Sequence, residues 1–344
     1  MFWKKIYISF MLMGLAFVEI HSAGAASFQP ILSMRDRADT IDRLVNERLT
    51  TLPEQLMRRE GIDIWVLVAR EYNEDPVVMT MLPGTAHSAR RRTILVFVDE
   101  GDLGVKGYAV ARYPVGNFFA ARWNPDEEPD QWRALAQLIE EKNPDTIGIN
   151  VSSDFALADG LSHGEYLGLV DALSTEKKSK IVSAERLAVA WLEPRTESEM
   201  EIYPSIVEVA HNIIAEGFSA NVIKPGRTTT EDVQWWYRER VRELHLQVWF
   251  HPSVTFQRNG ETGDLQGVIL PGDLLHVDFG ITYLRLNTDT QQHAYVLMEG
   301  EQVPPVGLRQ GLALSLIHIS EPTRPERSWH AGVWLKKKNP GGVG

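Results

Sequence analysis

The chain of 344 residues is 44% hydrophobic and 24% charged, long enough for two domains and apolar enough for a sizeable buried core. Its formal net charge of -11, with no basic stripe to neutralise phosphates, argues against a nucleic-acid partner. The absence of cysteine excludes thiolate metal sites, thiol nucleophiles and disulfides.

At the start of the chain, Lys4 and Lys5 precede the apolar run 6-IYISFMLMGLAFV-18, and 22-SAGAAS-27 supplies small residues at cleavage spacing. This order of charge, apolar run and small residues is that of a secretory signal. The run is shorter than the roughly 20 residues a membrane-spanning helix needs, and Glu19 and His21 close it. Residues 1–26 are therefore expected to be a signal peptide, cleaved after Ala25 or Ala26. The mature protein is expected to be exported, periplasmic or extracellular, with no membrane attachment after cleavage.

The stretch 33–61 has apolar residues on one helical face and Gly61 as a stop. Runs at 62–70, 93–100 and 105–113 read as strands, 130–143 as a helix ended by Pro144, and 146–152 as another strand. A helix near 161–173, a short strand near Ile181 and a helix from Ala184 to Trp191 follow. This alternation predicts an α/β domain over residues 28–192. The polar linker 193-EPRTESE-199 closes it.

Beyond the linker, 205–220 has helical spacing, with Pro204 tolerated if it begins or kinks the helix. The segment 228–246 is a second helix, for which Thr228 and Glu231 have capping-box spacing and Val233, Trp236, Val241 and Leu244 form one face. One of the adjacent Trp235 and Trp236 is expected in the core. Strands return at 247–257 and in 274-LLHVDFGITYLRLNTDTQQHAYVL-297.

That last stretch carries Asp278 and Asp289, eleven residues apart, inside β-branched runs that disfavour aspartate. A hairpin centred between Tyr283 and Leu284 would set the two directly opposite, on one face of the ribbon. Ionised carboxylates so placed repel unless a cation lies between them or one takes up a proton, and hard divalent ions suit oxygen ligands. A surface hairpin with both aspartates in water fits the same periodicity. The tripeptide 278-DFG-280 also spells a kinase metal motif, but neither a glycine-rich phosphate loop nor a His-Arg-Asp stretch precedes it.

The stretch 271-PGDLLHVDFGITYLRLNTDTQQHAYVL-297, together with 249-WFHPSVTFQR-258 and the two preceding helices, resembles the metallopeptidase family of methionine aminopeptidase, Xaa-Pro aminopeptidase, prolidase and creatinase. It is most similar to the Xaa-Pro aminopeptidase and prolidase branch. The resemblance implies an α+β fold: a creatinase-like N-terminal α/β domain followed by a pita-bread catalytic domain, here spanning residues 197–312 and incomplete. It implies two divalent ions (manganese, cobalt or zinc) held by two aspartates, one histidine and two glutamates. Asp278 matches the first aspartate and Asp289 the one that bridges both metals. His251 falls where the family has a histidine that contacts substrate, and His293 matches no family role. The implied reaction is hydrolysis of an N-terminal peptide bond by metal-activated water. The implied partners are a peptide substrate and a second copy of the chain as a homodimer. Members of the family often have glycine where Arg285 stands.

The family's histidine and glutamates come later than Asp289, in strand contexts that His318, Glu321, Glu326 and His330 lack. From Leu314 the sequence has no sustained period, and 315-SLIHISEPTRP-325 resembles translated sequencing-adapter read-through. Residues 313–344 are therefore expected to be a non-family tail, the natural sequence departing near Leu312. With three of five expected ligands lacking, this chain is expected to be inactive even where its intact parent is an enzyme. The alternatives are a non-catalytic creatinase-domain protein that binds partners or mediates oligomerisation, and a metal-free creatinase relative, which the aspartates disfavour.

Overall fold

A computed structural model describes residues 31–311. The expected signal peptide and the whole of the expected tail lie outside the described residues.

The first helical stretch is two helices, not one. Helix α1 (Met34–Thr51) is capped by the Ser33 hydroxyl, which accepts from the Asp36 N–H. Pro53 has no N–H to continue the ladder, so it opens α2 (Pro53–Glu60), and Gly61 closes α2 at φ 66°. Strand β1 (Ile64–Arg70) follows, then α3 (Pro76–Met81), β2 (Arg92–Asp99), β3 (Val105–Ala109) and β4 (Phe119–Ala121). After these come α4 (Gln131–Lys142), β5 (Ile147–Ile149), α5 (His163–Ala172), α6 (Thr175–Lys178), β6 (Ile181–Ser183) and α7 (Glu185–Leu192).

The six strands form one mixed sheet in the order β4-β3-β2-β1-β5-β6. Strand β1 lies at its centre, antiparallel to β2 and parallel to β5, and period-two alternation divides its side chains between two cores. Trp65 and Leu67 pack towards α2, α3 and α7, whereas Ile64, Val66 and Val68 pack towards α4 and α5. This explains why β1 is apolar throughout: both of its faces are covered.

Helix α8 (Glu197–Gly217) begins eight residues before the expected start, with Pro204 inside it. A reciprocal cap makes that possible: Thr196 accepts from the Glu199 N–H while Glu199 accepts from the Thr196 N–H. Helix α9 (Thr230–Glu243) is capped one residue later than expected, by Thr229 with Asp232. The remaining strands are β7 (Gln247–Val248), β8 (Ser253–Gln257), β9 (Leu274–Phe279), β10 (Ile281–Tyr283), β11 (Leu286–Asn287) and β12 (Thr290–Tyr295). They form two three-stranded sheets, β12-β9-β8 and β11-β10-β7. Val254, Phe256, Leu275, Val277 and Phe279 bury one face against Ile206, Ile213, Val233, Tyr237 and Val241 of α8 and α9. Trp236 is half-buried against that core and Trp235 is 53% exposed.

One buried ion pair joins α1 to the start of α8. Arg48 Nη1 lies 2.9 Å from Glu199 Oε2, both side chains being nearly solvent-free. The same guanidinium donates to the carbonyls of Pro194 and Trp191 and lies over the Trp191 ring. Burial lowers the Arg48 pKa, and the charge of Glu199 opposes that shift. Replacing one partner leaves the other as an uncompensated charge. Glu199→Gln is expected to cost about 3–5 kcal/mol of unfolding free energy in urea titrations, with much of the loss recovered in an Arg48→Met/Glu199→Met double variant.

Candidate functional site

The hairpin register differs from the expected one by two residues. Tyr283 pairs with Leu286, so the turn is Leu284-Arg285 and the strands are centred there. Both turn residues have positive φ, 54° and 63°, as a two-residue hairpin turn of the twist-matched kind requires. Asp278 therefore stands opposite Gln291, with Thr290 opposite Phe279. Asp278 and Asp289 are diagonal neighbours, not a directly opposed pair. Because the displacement is an even number of residues, both still belong to the same face.

Without glycine the turn is costly, and two contacts compensate. Leu284 is buried in the core of the second unit. Arg285 reaches the N-terminal unit, where Nη1 donates to the Leu82 carbonyl at 2.6 Å and Nη2 to the Pro83 carbonyl at 3.0 Å. Burial lowers the pKa of this guanidinium, while Asp42 pulls it back. Arg285 thus ties the hairpin tip to the end of α3.

The open face of β12-β9-β8 carries the chemistry. Asp278 is flanked by Ser253 on one side and Gln291 on the other, with Thr255, His276 and His293 in the next row. Asp278 is half-buried, and its Oδ1 is fully buried without a hydrogen-bond partner. Asp289 is exposed. Burial, then the nearby charge of Asp289, raises the Asp278 pKa; His276 pulls in the other direction. His293 pairs with His276 across the strands, ring centroids 4.8 Å apart, and burial lowers its pKa. His276 Nε2 is 3.1 Å from Gln291 Oε1.

His251 is brought to the edge of this face by a bulge. Between the pairs Val248↔Ile281 and Ser253↔Asp278 the chain takes five steps against three on the partner strand. The two extra residues fall in 249-WFHP-252, where Pro252 cannot donate to a ladder. The Trp249 N–H donates to the Gly280 carbonyl at 3.0 Å, which holds the bulge over the junction of β9 and β10. Gly280 permits that approach: a Cβ there would meet the Thr288 carbonyl oxygen, the Phe250 ring at 2.7 Å and the Trp249 ring at 3.0 Å. The site is an open sheet face, not a closed cleft. A cavity of about 470 Å³ lined by Lys224, Arg227, Thr228 and Trp236 lies elsewhere and includes none of the three expected residues.

Three solved structures share this arrangement of elements at low sequence identity. They are an X-Pro aminopeptidase from Thermotoga maritima (16% identity, 76% of this chain and 69% of that one, TM-score 0.53), the proline aminopeptidase P II from Yersinia pestis (12%, 83% and 68%, 0.52), and an Escherichia coli aminopeptidase P in complex with substrate (12%, 76% and 64%, 0.51). The chain has the aminopeptidase P fold. No protein-family model matches the sequence, and no curated protein sequence matches it either. The architecture agrees with the α+β, creatinase-like and pita-bread expectation.

Within the aminopeptidase P fold, one observation bears on metal fitness: Asp278 Oδ1 is buried with no hydrogen-bond partner. The set is small. Among the described residues, no group of three or more histidine or acidic side chains could hold a metal ion. Sequence reading missed Arg238, whose Nη1 lies 3.1 Å from His251 Nδ1, and Trp235, whose ring meets His251 edge-on at 5.5 Å. The signal was available: Trp235 and Arg238 are three apart on α9, so they share a helix face.

Two outcomes are expected from this geometry. Gly280→Ala places a methyl against the backbone of Thr288 and is expected to cost about 1–3 kcal/mol in denaturant titrations, with chemical-shift changes concentrated at residues 249–251. In metal-free protein, Asp278 has a raised pKa, so between the ordinary carboxylate range and that raised value the native state binds more protons than the unfolded state. Stability is then expected to fall as pH rises through that window. Asp278→Asn is expected to raise stability at neutral pH, with the gain vanishing in acid, as thermal melts in chelator would record.

Proposed function

We propose that this chain represents a metal-dependent aminopeptidase or dipeptidase of the Xaa-Pro aminopeptidase or prolidase type, hydrolysing the N-terminal peptide bond of a peptide substrate. One observation carries the reading: in an aminopeptidase P fold, Asp278 and Asp289 belong to one hairpin face, and Asp278 keeps a buried oxygen with no donor. Asp278 and Asp289 would hold the divalent ions, manganese, cobalt or zinc, together with the remaining histidine and two glutamates of the family set. When bound, such a pair of ions supplies a water of lowered pKa and polarises the scissile carbonyl. Asp278 presents an oxygen already removed from solvent. Asp289, exposed between β11 and β12, is near enough for its charge to raise the Asp278 pKa. His251, on the bulge, borders the path of an incoming peptide.

The 344-residue chain itself is proposed to be inactive. Two carboxylates make an incomplete site, and the sequence around His318, Glu321, Glu326 and His330 matches none of the family's ligand motifs. The net charge of -11 supports a peptide and not a nucleic acid as substrate. Export rests on the charged, apolar and small-residue order of residues 1–26; among the described residues, no helix is long and apolar enough to cross a membrane. Assembly as a homodimer belongs to the same proposal.

Manganese titration tests the reading. At ~10-fold excess over its dissociation constant, a single bound ion should stabilise the fold by about 1.4 kcal/mol, seen as a rise in melting temperature that Asp278→Asn and Asp289→Asn each abolish. Equal responses in all three proteins, or none, would favour a non-catalytic partner-binding role. Xaa-Pro peptides are expected to remain intact with this chain under manganese or cobalt, and vigorous hydrolysis would refute the proposed inactivity.

A further inference from the structure

We propose that Arg238 is a positioning residue that fixes the tautomer and orientation of His251, leaving Nε2 as the ring's free donor. The inference rests on the reading of His251 as the substrate-contacting histidine, but its geometry stands without it.

Arg238 projects from α9 and places Nη1 3.1 Å from His251 Nδ1. A guanidinium nitrogen can only donate, and it stays protonated at any pH a protein tolerates. The Nδ1 atom must therefore present its lone pair, so the single ring proton resides on Nε2. Trp235, one helical turn before Arg238, meets the imidazole at 5.5 Å and 62°. The two α9 side chains thus hold the ring on its Nδ1 edge and its flank. Pro252 and the Trp249–Gly280 hydrogen bond restrain the backbone on either side.

Among the described residues, Nε2 has no hydrogen-bond partner, and His251 is exposed. The free atom is a donor, so the ligand group it takes is an acceptor. The class that suits a neutral donor at the edge of an aspartate-bearing face is the carbonyl oxygen of a peptide bond. An ammonium group would find neither a lone pair nor a charge at this position of the ring. In this arrangement His251 is a hydrogen-bond donor to substrate and not a general base, because the lone pair a base needs is already engaged by Arg238.

Two-bond proton–nitrogen correlation spectra of the nitrogen-15 histidine-labelled chain, free of metal and peptide, test this directly. At neutral pH the His251 signals are expected in the pattern of the Nε2–H tautomer. Arg238→Met, which keeps the length but removes the donors, is expected to bring in the Nδ1–H tautomer, while the signals of His276 and His293 stay in place. Arg238→Lys restores a donor and is expected to return most of the Nε2–H population. A native spectrum showing Nδ1–H or a charged ring would overturn the proposal, as would an unchanged His251 pattern in Arg238→Met. Should Arg238→Met fail to fold, Arg238→Ala is read in its place by the same comparison with the native spectrum. Peptide hydrolysis and metal binding do not enter the readout, so failure of the peptidase reading would be seen separately.

Discussion

Two carboxylates on one face of a narrow β-ribbon repel each other, and much of the second unit is organised around that constraint. Asp278 is half-buried with one oxygen sealed from any donor, and the charge of Asp289, exposed between β11 and β12, acts on it. The hydrophobic alternation of β9 forces this placement. Leu275, Val277 and Phe279 are drawn into the core against α8 and α9, so the residues between them must face the other way. Burial of one face thus fixes the exposure of the other, and the acidic pair cannot rotate away from its partner without exposing three core side chains.

Geometry around that face is held from three directions. The hairpin tip is bound to the N-terminal unit by Arg285, which reaches the carbonyls at the end of α3 from a turn position with φ 63°. A left-handed conformation costs a non-glycine residue about 1–2 kcal/mol, and two hydrogen bonds to buried carbonyls offset a penalty of that size. At the other end, Gly280 lets the Trp249–Pro252 bulge pass directly over the strand junction. Between the units, Arg48 and Glu199 form a buried pair in which Glu199 also completes the cap of α8. One carboxylate therefore both begins the helix behind the site and fastens it to α1.

How much of this could be read in advance differs by element. The alternating order of strands and helices through Trp191 was visible because each segment carries its own period and its own stops, such as Gly61 and Pro144 at helix ends. The short α3 was signalled by Asp75-Pro76, a cap followed by a proline at the first helical position, yet its six residues are too few to show a period. The early start of α8 was hidden because Pro204 suggested a beginning, whereas the deciding contact is with Arg48, 151 residues away in sequence. At the site, eleven-residue spacing placed both aspartates on one face, and that inference survives a register shift of two residues. Direct opposition did not survive, because turn position is set by where Leu284 and Arg285 find their partners.

The sequence alone determined the face that each acidic residue occupies, the α+β order of the elements and the exclusion of thiol chemistry. Those follow from local properties: side-chain alternation, capping residues and composition. Only the tertiary structure decided which residues meet His251, how the hairpin turn is centred and which oxygen of Asp278 is left without a donor. These depend on contacts between segments remote in the chain, α9 with the bulge and α3 with the hairpin tip, and no local pattern encodes a distance across the fold.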